Sequence, residues 1–232
     1  MKDVSMPQTF LSNNRHSSTT EEDLSERWEL SISQVALTLK ATTHKLTRSE
    51  IITLARRYRA DQMFDVLRTH GTMSTDTMDA RWHSIHYKNY CQVCRNKELF
   101  VESYPIKNKY DCHLVLDKFV KEYWAPEKTT YDGKQEQIRR RTEFQRVMRK
   151  YEIKWHVTEK KQSNQNAVEV RIQELQQRWY STMFRTYFPR ALWSYGIPYV
   201  SKIMQIRASF SADLQGRTPL EALTDETPDI SE

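Results

Sequence analysis

The order of strand-like and helix-like segments is the feature of this sequence that most restricts its fold. After Gly71, residues of high β propensity form three short runs in succession, at 72–78, 90–94 and 99–104, and Pro105 closes the last run. Apolar residues at helical spacing then alternate with further short runs. The order is helix, strand, helix, strand, helix, helix, beginning near residues 111, 128, 142, 153, 166 and 191. This order predicts a mixed sheet covered by helices on both faces.

Ribonuclease H-like folds have this order of elements, and we therefore predict an α/β fold of that class. The sequence before the core is polar and rich in Ser, Thr and Asn at its start, with no periodic apolar pattern, which is typical of disorder. The predicted division is a disordered N-terminal segment at 1–23, a helical N-terminal segment at 24–70, a ribonuclease H-like core at 71–205 and an acidic C-terminal tail at 206–232.

Within the helical N-terminal segment, apolar spacing predicts two short helices that break around Leu30 and Ser31. Ser33 is the predicted N-cap of the second helix. A further helix is predicted at 46–68. The break resembles a helix-turn-helix, although a helical spacer explains the same pattern better.

Glycine is scarce, which excludes several nucleotide-binding classes. The chain has four glycines, whereas an average usage of about 7% predicts roughly sixteen. Phosphate-cradling Gly-rich loops are absent, so P-loop and Rossmann sites are excluded. Three cysteines are too few for a disulfide framework. No apolar run reaches the roughly 18 residues needed to cross a bilayer, and we expect an intracellular protein with no membrane partner.

Cys91 and Cys94 have the spacing of a zinc pair, with His44 and His70 as possible upstream ligands. Both cysteines lie in a predicted strand, where alternation directs their side chains to opposite faces. We therefore favour buried strand cysteines over a zinc site.

Positive charge is concentrated in the middle of the chain. Residues 134–190 hold 14 Lys and Arg against 6 Asp and Glu, whereas residues 208–232 hold one Arg and six acids. A basic block suits a polyanion such as nucleic acid, although solvated loops or an anionic membrane surface would explain it as well. The candidate nucleic-acid-binding residues are Lys134, Arg139, Arg140, Arg141, Lys160, Lys161 and Arg171.

Three acids stand at strand and helix ends of the predicted core. Asp76 lies in the first strand, Asp132 follows the fourth strand, and Glu169 lies in the first turn of a long helix. If the first and fourth strands are neighbours, the three carboxylates converge and can hold Mg²⁺ or Mn²⁺. Taken singly, each acid is explained better by its local role, Asp76 as a strand-end residue, Asp132 as a turn residue before glycine and Glu169 as a helix start favoured by the helix dipole.

From about residue 24 to 232, the sequence resembles the integrase of a copia-type LTR retrotransposon. The acids are 56 and 37 positions apart, similar to the D,D-E pattern of such integrases. Trp124 stands where the family usually has glycine or a small residue. The markers are Ser74-Thr75-Asp76-Thr77-Met78, Tyr131-Asp132-Gly133, Thr142-Glu143-Phe144, Gln165-Asn166-Ala167-Val168-Glu169, Gly216-Arg217-Thr218-Pro219-Leu220-Glu221 and Thr227-Pro228-Asp229-Ile230.

The resemblance implies a metal-dependent enzyme of DNA integration. Asp76, Asp132 and Glu169 would bind two Mg²⁺ or Mn²⁺ ions, with which the enzyme trims DNA ends and joins them to target DNA. A homo-oligomer acting on DNA in the nucleus is also implied. Two alternatives stay open: a catalytically decayed, element-derived nucleic-acid-binding protein, and a ribonuclease H-like nuclease that cuts RNA in hybrids.

Overall fold

The computed structural model describes residues 20–42, 68–132, 142–158, 167–211 and 214–230. Within these ranges, no helix is both long enough and apolar enough to span a membrane. The predicted helix at 46–68 lies almost entirely outside the described residues, as do residues 1–19 of the segment predicted to be disordered.

One mixed sheet holds all the strands of the described ranges. The strands are β1 Arg68–Asp79, β2 Tyr90–Arg95, β3 Val101–Ile106, β4 Ala125–Asp132 and β5 Lys154–Thr158. Their order across the sheet is β3-β2-β1-β4-β5. The first three strands form an antiparallel meander, and β4 and β5 run parallel to β1. The first and fourth strands are neighbours, which is the condition that the predicted acidic site requires.

The strands are shifted from their predicted bounds, and the differences in β1 and β3 have clear structural reasons. β1 begins before Gly71, because a register shift between Thr69 and Thr72 absorbs the glycine, which has a φ of 96°. Such a bulge lets pairing with β4 continue on both sides of the irregularity. The prediction that Pro105 closes the third strand is wrong. β3 is an edge strand, where a residue without an N–H group does not interrupt the ladder.

Helices cover both faces of the sheet, as predicted. In chain order, the α-helices of the described ranges are α1 Glu21–Trp28, α2 Ile32–Ala41, α3 Cys112–Tyr123, α4 Glu143–Lys150, α5 Ala167–Thr186, α6 Trp193–Ile206 and α7 Pro219–Thr224. The hydroxyl of Thr142 caps α4 by accepting a hydrogen bond from the backbone N–H of Gln145 at 3.4 Å.

α3 and α4 pack on one face of the sheet. Phe119 of α3 and Phe144 and Met148 of α4 are almost completely buried, in one cluster with Tyr131 of β4. The rings of Tyr131 and Phe144 meet edge to face with centroids 5.4 Å apart. This cluster is the larger part of the core.

α5 and α6 pack on the opposite face. Val168, Leu175 and Trp179 recur at helical spacing along α5 and are buried. Gly196 of α6 lies directly against the indole of Trp179, so that a β-carbon at this position would collide with the ring. The close contact of the two helices therefore depends on a residue without a side chain.

Trp124 links α3 to β4 with a φ of 76° and a ψ of 168°. This backbone region is almost restricted to glycine because a β-carbon is strained there. Trp124 therefore holds a backbone conformation that glycine would adopt with less strain.

The N-terminal helices form a small cluster of their own against α6. α1 begins at Glu21, where the side chain of Thr20 caps it, so the predicted disorder is wrong for residues 20–23. Ser31 caps α2 by accepting from the N–H of Gln34, and the prediction of Ser33 as the cap is wrong because the chain is already helical at Ile32. Arg185 at the end of α5 donates to the carbonyl oxygens of Glu26 and Arg27 and so joins α1 to the core.

The acidic C-terminal tail folds back onto the core. Leu214, Thr218 and Leu223 are buried, and α7 lies within this segment. Leu223 joins the cluster under α3 and α4, while Ile230 packs on the N-terminal helices. The folded unit therefore continues beyond the predicted core boundary at residue 205.

Candidate active site

Asp76 and Asp132 occupy neighbouring positions on adjacent parallel strands. The last pair of matched residues between β1 and β4 is Thr75 with Tyr131. The next residues of the two strands are Asp76 and Asp132. Neighbouring strands lie about 4.8 Å apart, so the two backbones are close at this point. The side chain of Asp132 lies outside the described residues.

Asp76 is half-buried and its carboxylate is oriented by the backbone. It pairs with Val93 of β2 and therefore lies on the face covered by α5 and α6. Its Oδ1 accepts a hydrogen bond from the N–H of Thr77 at 2.6 Å. This bond limits the rotation of the carboxylate.

Glu169 lies in the first turn of α5, which packs against β1 and β2. Its neighbour Val168 is fully buried and fixes this end of the helix on the sheet. Glu169 itself is half-buried. A carboxylate in the first turn is stabilised by the positive end of the helix dipole.

Asp76 follows the strand pair of β1 and β4 beside the backbone of Asp132, and Glu169 begins the helix that packs on β1 and β2. Carboxylate oxygens are the ligands that Mg²⁺ and Mn²⁺ prefer. Among the side chains that the structure describes, no group of three His, Cys, Asp or Glu residues forms a metal cluster. Asp76 and Glu169 fit a divalent ion by their chemistry and partial exposure, and a complete ligand set would need a third group.

Solved structures of retroviral integrases resemble this chain in fold. One is a simian T-cell lymphotropic virus intasome in complex with PP2A regulatory subunit B56 gamma, with a TM-score of 0.58, 12% identity, and coverage of 92% of this chain and 75% of that chain. Two are HTLV-2 integrase catalytic cores in complex with magnesium. The trimeric form has a TM-score of 0.52 and 14% identity over 68% of this chain and 99% of the core. The dimeric form has a TM-score of 0.51 and 14% identity over 70% of this chain and 100% of the core.

The fold is similar to that of these catalytic cores. The comparison confirms the predicted α/β, ribonuclease H-like fold class. No protein-family model and no curated protein matches it in sequence. Because the sequence identities are only 12–14%, the likeness to these structures is limited to the fold.

Arg171 is the one predicted nucleic-acid-binding residue within the described ranges, and it belongs to a cluster of ion pairs. It pairs with Glu174, which also has Arg178 Nε at 3.2 Å and Arg207 NH1 at 3.8 Å. Although burial alone would raise the pKa of Glu174, Arg171 and Arg178 hold it below its ordinary value. Three guanidinium groups around one carboxylate leave positive charge in excess beside α5.

The other predicted nucleic-acid-binding residues lie outside the described ranges. They are Lys134, Arg139, Arg140, Arg141, Lys160 and Lys161.

The geometry of Cys91 and Cys94 opposes a shared zinc ion. Cys91 is buried in the cluster under α5 and α6, and Cys94 in the cluster under α3 and α4. The sulfurs therefore lie on opposite faces, as strand alternation predicts. Burial raises the pKa of both thiols, that of Cys94 to about 12, so neither is a thiolate at neutral pH. His44 and the side chain of His70 lie outside the described residues.

Exposed aromatic residues that no sequence motif predicts line a groove beside α5. Trp82 follows β1 in a polar loop, and Tyr180 and Phe184 lie on the exposed side of α5. The signal in the sequence is the spacing of Tyr180 and Phe184, four residues apart and one position away from the buried Trp179 and Met183.

Proposed function

We propose that this chain is the integrase of a copia-type LTR retrotransposon, an enzyme that trims DNA ends and joins them to target DNA. The adjacency of Asp76 and Asp132, each one residue beyond the last matched pair of β1 and β4, carries the proposal. The fold shared with retroviral integrase cores supports it.

In this proposal, Asp76, Asp132 and Glu169 are the catalytic residues and hold two Mg²⁺ or Mn²⁺ ions. Two such ions stabilise the attacking and leaving oxygens of an in-line phosphoryl transfer. The magnesium of the HTLV-2 cores supports the choice of metal. Thr77 holds the Asp76 carboxylate in one orientation, and the anchored start of α5 holds Glu169 beside the sheet. These residues are thus positioned before the substrate binds.

DNA is the proposed substrate and a homo-oligomer the proposed assembly. The intasome and the dimeric and trimeric HTLV-2 cores support the assembly by likeness of fold. The basic block at 134–190 supports a polyanionic partner. Action on DNA places the active protein in the nucleus.

A nicking and strand-joining assay on labelled duplex DNA with Mg²⁺ or Mn²⁺ tests the proposal. We expect Asp76→Asn, Asp132→Asn and Glu169→Gln each to lower turnover at least about 100-fold, as for loss of a positioned charge-stabilising group. Glu143→Gln is the matched control, because Glu143 also begins a helix but pairs with Arg146 at 3.1 Å. It should leave turnover unchanged.

Two results would replace the proposal by an alternative. Salt-sensitive duplex binding without metal-dependent turnover would indicate a catalytically decayed nucleic-acid-binding protein. Preferential cleavage of the RNA strand in RNA–DNA hybrids would indicate a ribonuclease H-like nuclease.

A further inference from the structure

A groove with aromatic walls lies between the loop that follows β1 and the exposed side of α5. Its volume is about 300 Å³. We name it the aromatic groove, and the residues that define it are Arg81, Trp82, Gln176, Tyr180, Phe184 and Arg190.

Three aromatic side chains of the groove are exposed to solvent. Trp82 is 54% exposed, Tyr180 42% and Phe184 67%. Tyr180 and Phe184 are one helical turn apart and form a continuous strip on α5. Clustered apolar surface of this kind is costly in water and marks an interaction site.

Positive charge is interleaved with these rings. The guanidinium of Arg190 lies over the ring of Trp82, 5.3 Å from its centroid, and Arg81 stands at the rim. Asp79 is the acid of the lining, and its Oδ1 accepts a hydrogen bond from the backbone N–H of Arg81 at 2.8 Å. The groove therefore combines stacking surfaces with cations suited to phosphate groups.

The loop wall of the groove is held in place by hydrogen bonds to the segment before and at the start of α6. The indole N–H of Trp193 donates to the carbonyl oxygen of Trp82 at 2.9 Å. The backbone N–H of Ile85 donates to the carbonyl oxygen of Ala191, also at 2.9 Å. A preformed wall loses little conformational freedom when a ligand binds.

The groove begins close to the acidic positions. Met78, which lines it, is two residues beyond Asp76, or about 7 Å along the strand. Gln176 is seven residues beyond Glu169, or about 10 Å along the helix. A strand of nucleic acid bound at the acidic edge would reach the groove with its next nucleotides.

We propose that the aromatic groove binds unpaired bases of single-stranded DNA beside the reacting strand, an inference that rests on the proposed function. Aromatic faces stack on every base without sequence preference, and grooves for single strands combine them with cations. A peptide ligand is favoured less, because the exposed apolar groups are aromatic and alternate with arginines.

Fluorescence anisotropy with a labelled oligothymidylate, in EDTA and on the full chain, tests this inference. We expect Trp82→Ala and Phe184→Ala each to weaken binding about five- to hundredfold, the effect of losing one stacked base. Trp82→Phe should restore most of the affinity. Arg190→Gln should reduce the slope of log affinity against log salt by about one. Affinity for a duplex of equal length should change little.

Tyr110→Ala is the matched control, because Tyr110 is 76% exposed and lies outside the groove. Circular dichroism of each variant verifies folding. Absence of oligothymidylate binding by the parent, or equal losses in Tyr110→Ala and the groove variants, would overturn the proposal. Unchanged binding in the groove variants would also overturn it and would indicate a protein-docking surface instead.

The assay contains no metal, so it separates this proposal from the proposed function. Groove-dependent binding by a protein that shows no strand transfer would support the groove and refute the integrase activity. Strand transfer without groove-dependent binding would support the integrase activity and refute the proposed role of the groove.

Discussion

Replacing Glu102 by alanine is expected to destabilise the protein by about 3–5 kcal/mol, because several donors in the core lose their acceptor and each such donor costs about 1–3 kcal/mol. Glu102 lies on the edge strand β3, and its side chain is 4% exposed. Its carboxylate accepts from Tyr123 Oη at 2.7 Å, Gln205 Nε2 at 2.9 Å, Lys202 Nζ at 2.5 Å and the backbone N–H of Ser103 at 3.0 Å. Tyr123 belongs to α3 and the other two side chains to α6, so this carboxylate connects helices from both faces.

The expected loss has a defined order among variants. Glu102→Ala leaves Gln205, which is 1% exposed, without its carboxylate acceptor. Glu102→Gln keeps the shape of the side chain but loses its charge, and we expect it to lower the free energy of unfolding by about 1–3 kcal/mol. Lys202→Met should cost less, about 1 kcal/mol, because the Lys202 side chain is 53% exposed and the other donors to Glu102 remain.

Urea unfolding with linear extrapolation measures these free energies. Glu122→Ala is the control, because Glu122 also accepts from a tyrosine, Tyr104 at 2.6 Å, but its side chain is 38% exposed. A loss in Glu102→Ala no larger than that in Glu122→Ala would refute the assignment of a stabilising role to the buried network.

Three further predictions concern contacts outside this network. Burial alone would raise the pKa of Asp117, but Lys121, Tyr151 and Lys150 lower it to about 2 from 3.8. This stabilisation is present above pH 3.8 and is lost as pH falls towards 2. Asp117→Asn should therefore lower the free energy of unfolding by about 2 kcal/mol at pH 7. Below about pH 4, the denaturation curves of the variant and the parent should converge. Arg185→Ala should reduce hydrogen-exchange protection in 20–42 while leaving the sheet protected, because it removes two bonds to the end of α1. Tyr187→Gly should stabilise the protein by about 1 kcal/mol in urea unfolding, because Tyr187 has a φ of 53° and is 92% exposed.

The sequence predicts the elements of the core well because each buries one face at a regular period. The helix predicted from near 166 to 187 is α5 at Ala167–Thr186, and the helix predicted near 191–205 is α6 at Trp193–Ile206, preceded by a 3-10 turn. The meander is also predicted, since successive short strands pair with the nearest strand in the chain.

The periodicity of apolar residues does not predict the long-range contacts of the fold. The C-terminal segment has few apolar residues, yet Leu223 and Ile230 pack against two separate hydrophobic clusters. The pairing of Arg171 with Glu174 is a local i, i+3 contact, but the approach of Arg207 depends on the packing of α6 against α5. Such contacts follow from tertiary structure rather than from local sequence.

The relative positions of Asp76 and Asp132 depend on buried residues that take no part in the proposed reaction. Tyr131 is fully buried against Phe144, and its partner Thr75 in β1 is 1% exposed. A register slip of one residue in β4 would move Tyr131 to the other face of the sheet and empty its place in the core. Burial of this tyrosine therefore fixes the pairing of the two strands, and the next residues, Asp76 and Asp132, come to neighbouring positions as a result. The two acids are 56 positions apart in the sequence, and it is this packing that brings them to neighbouring positions in the sheet.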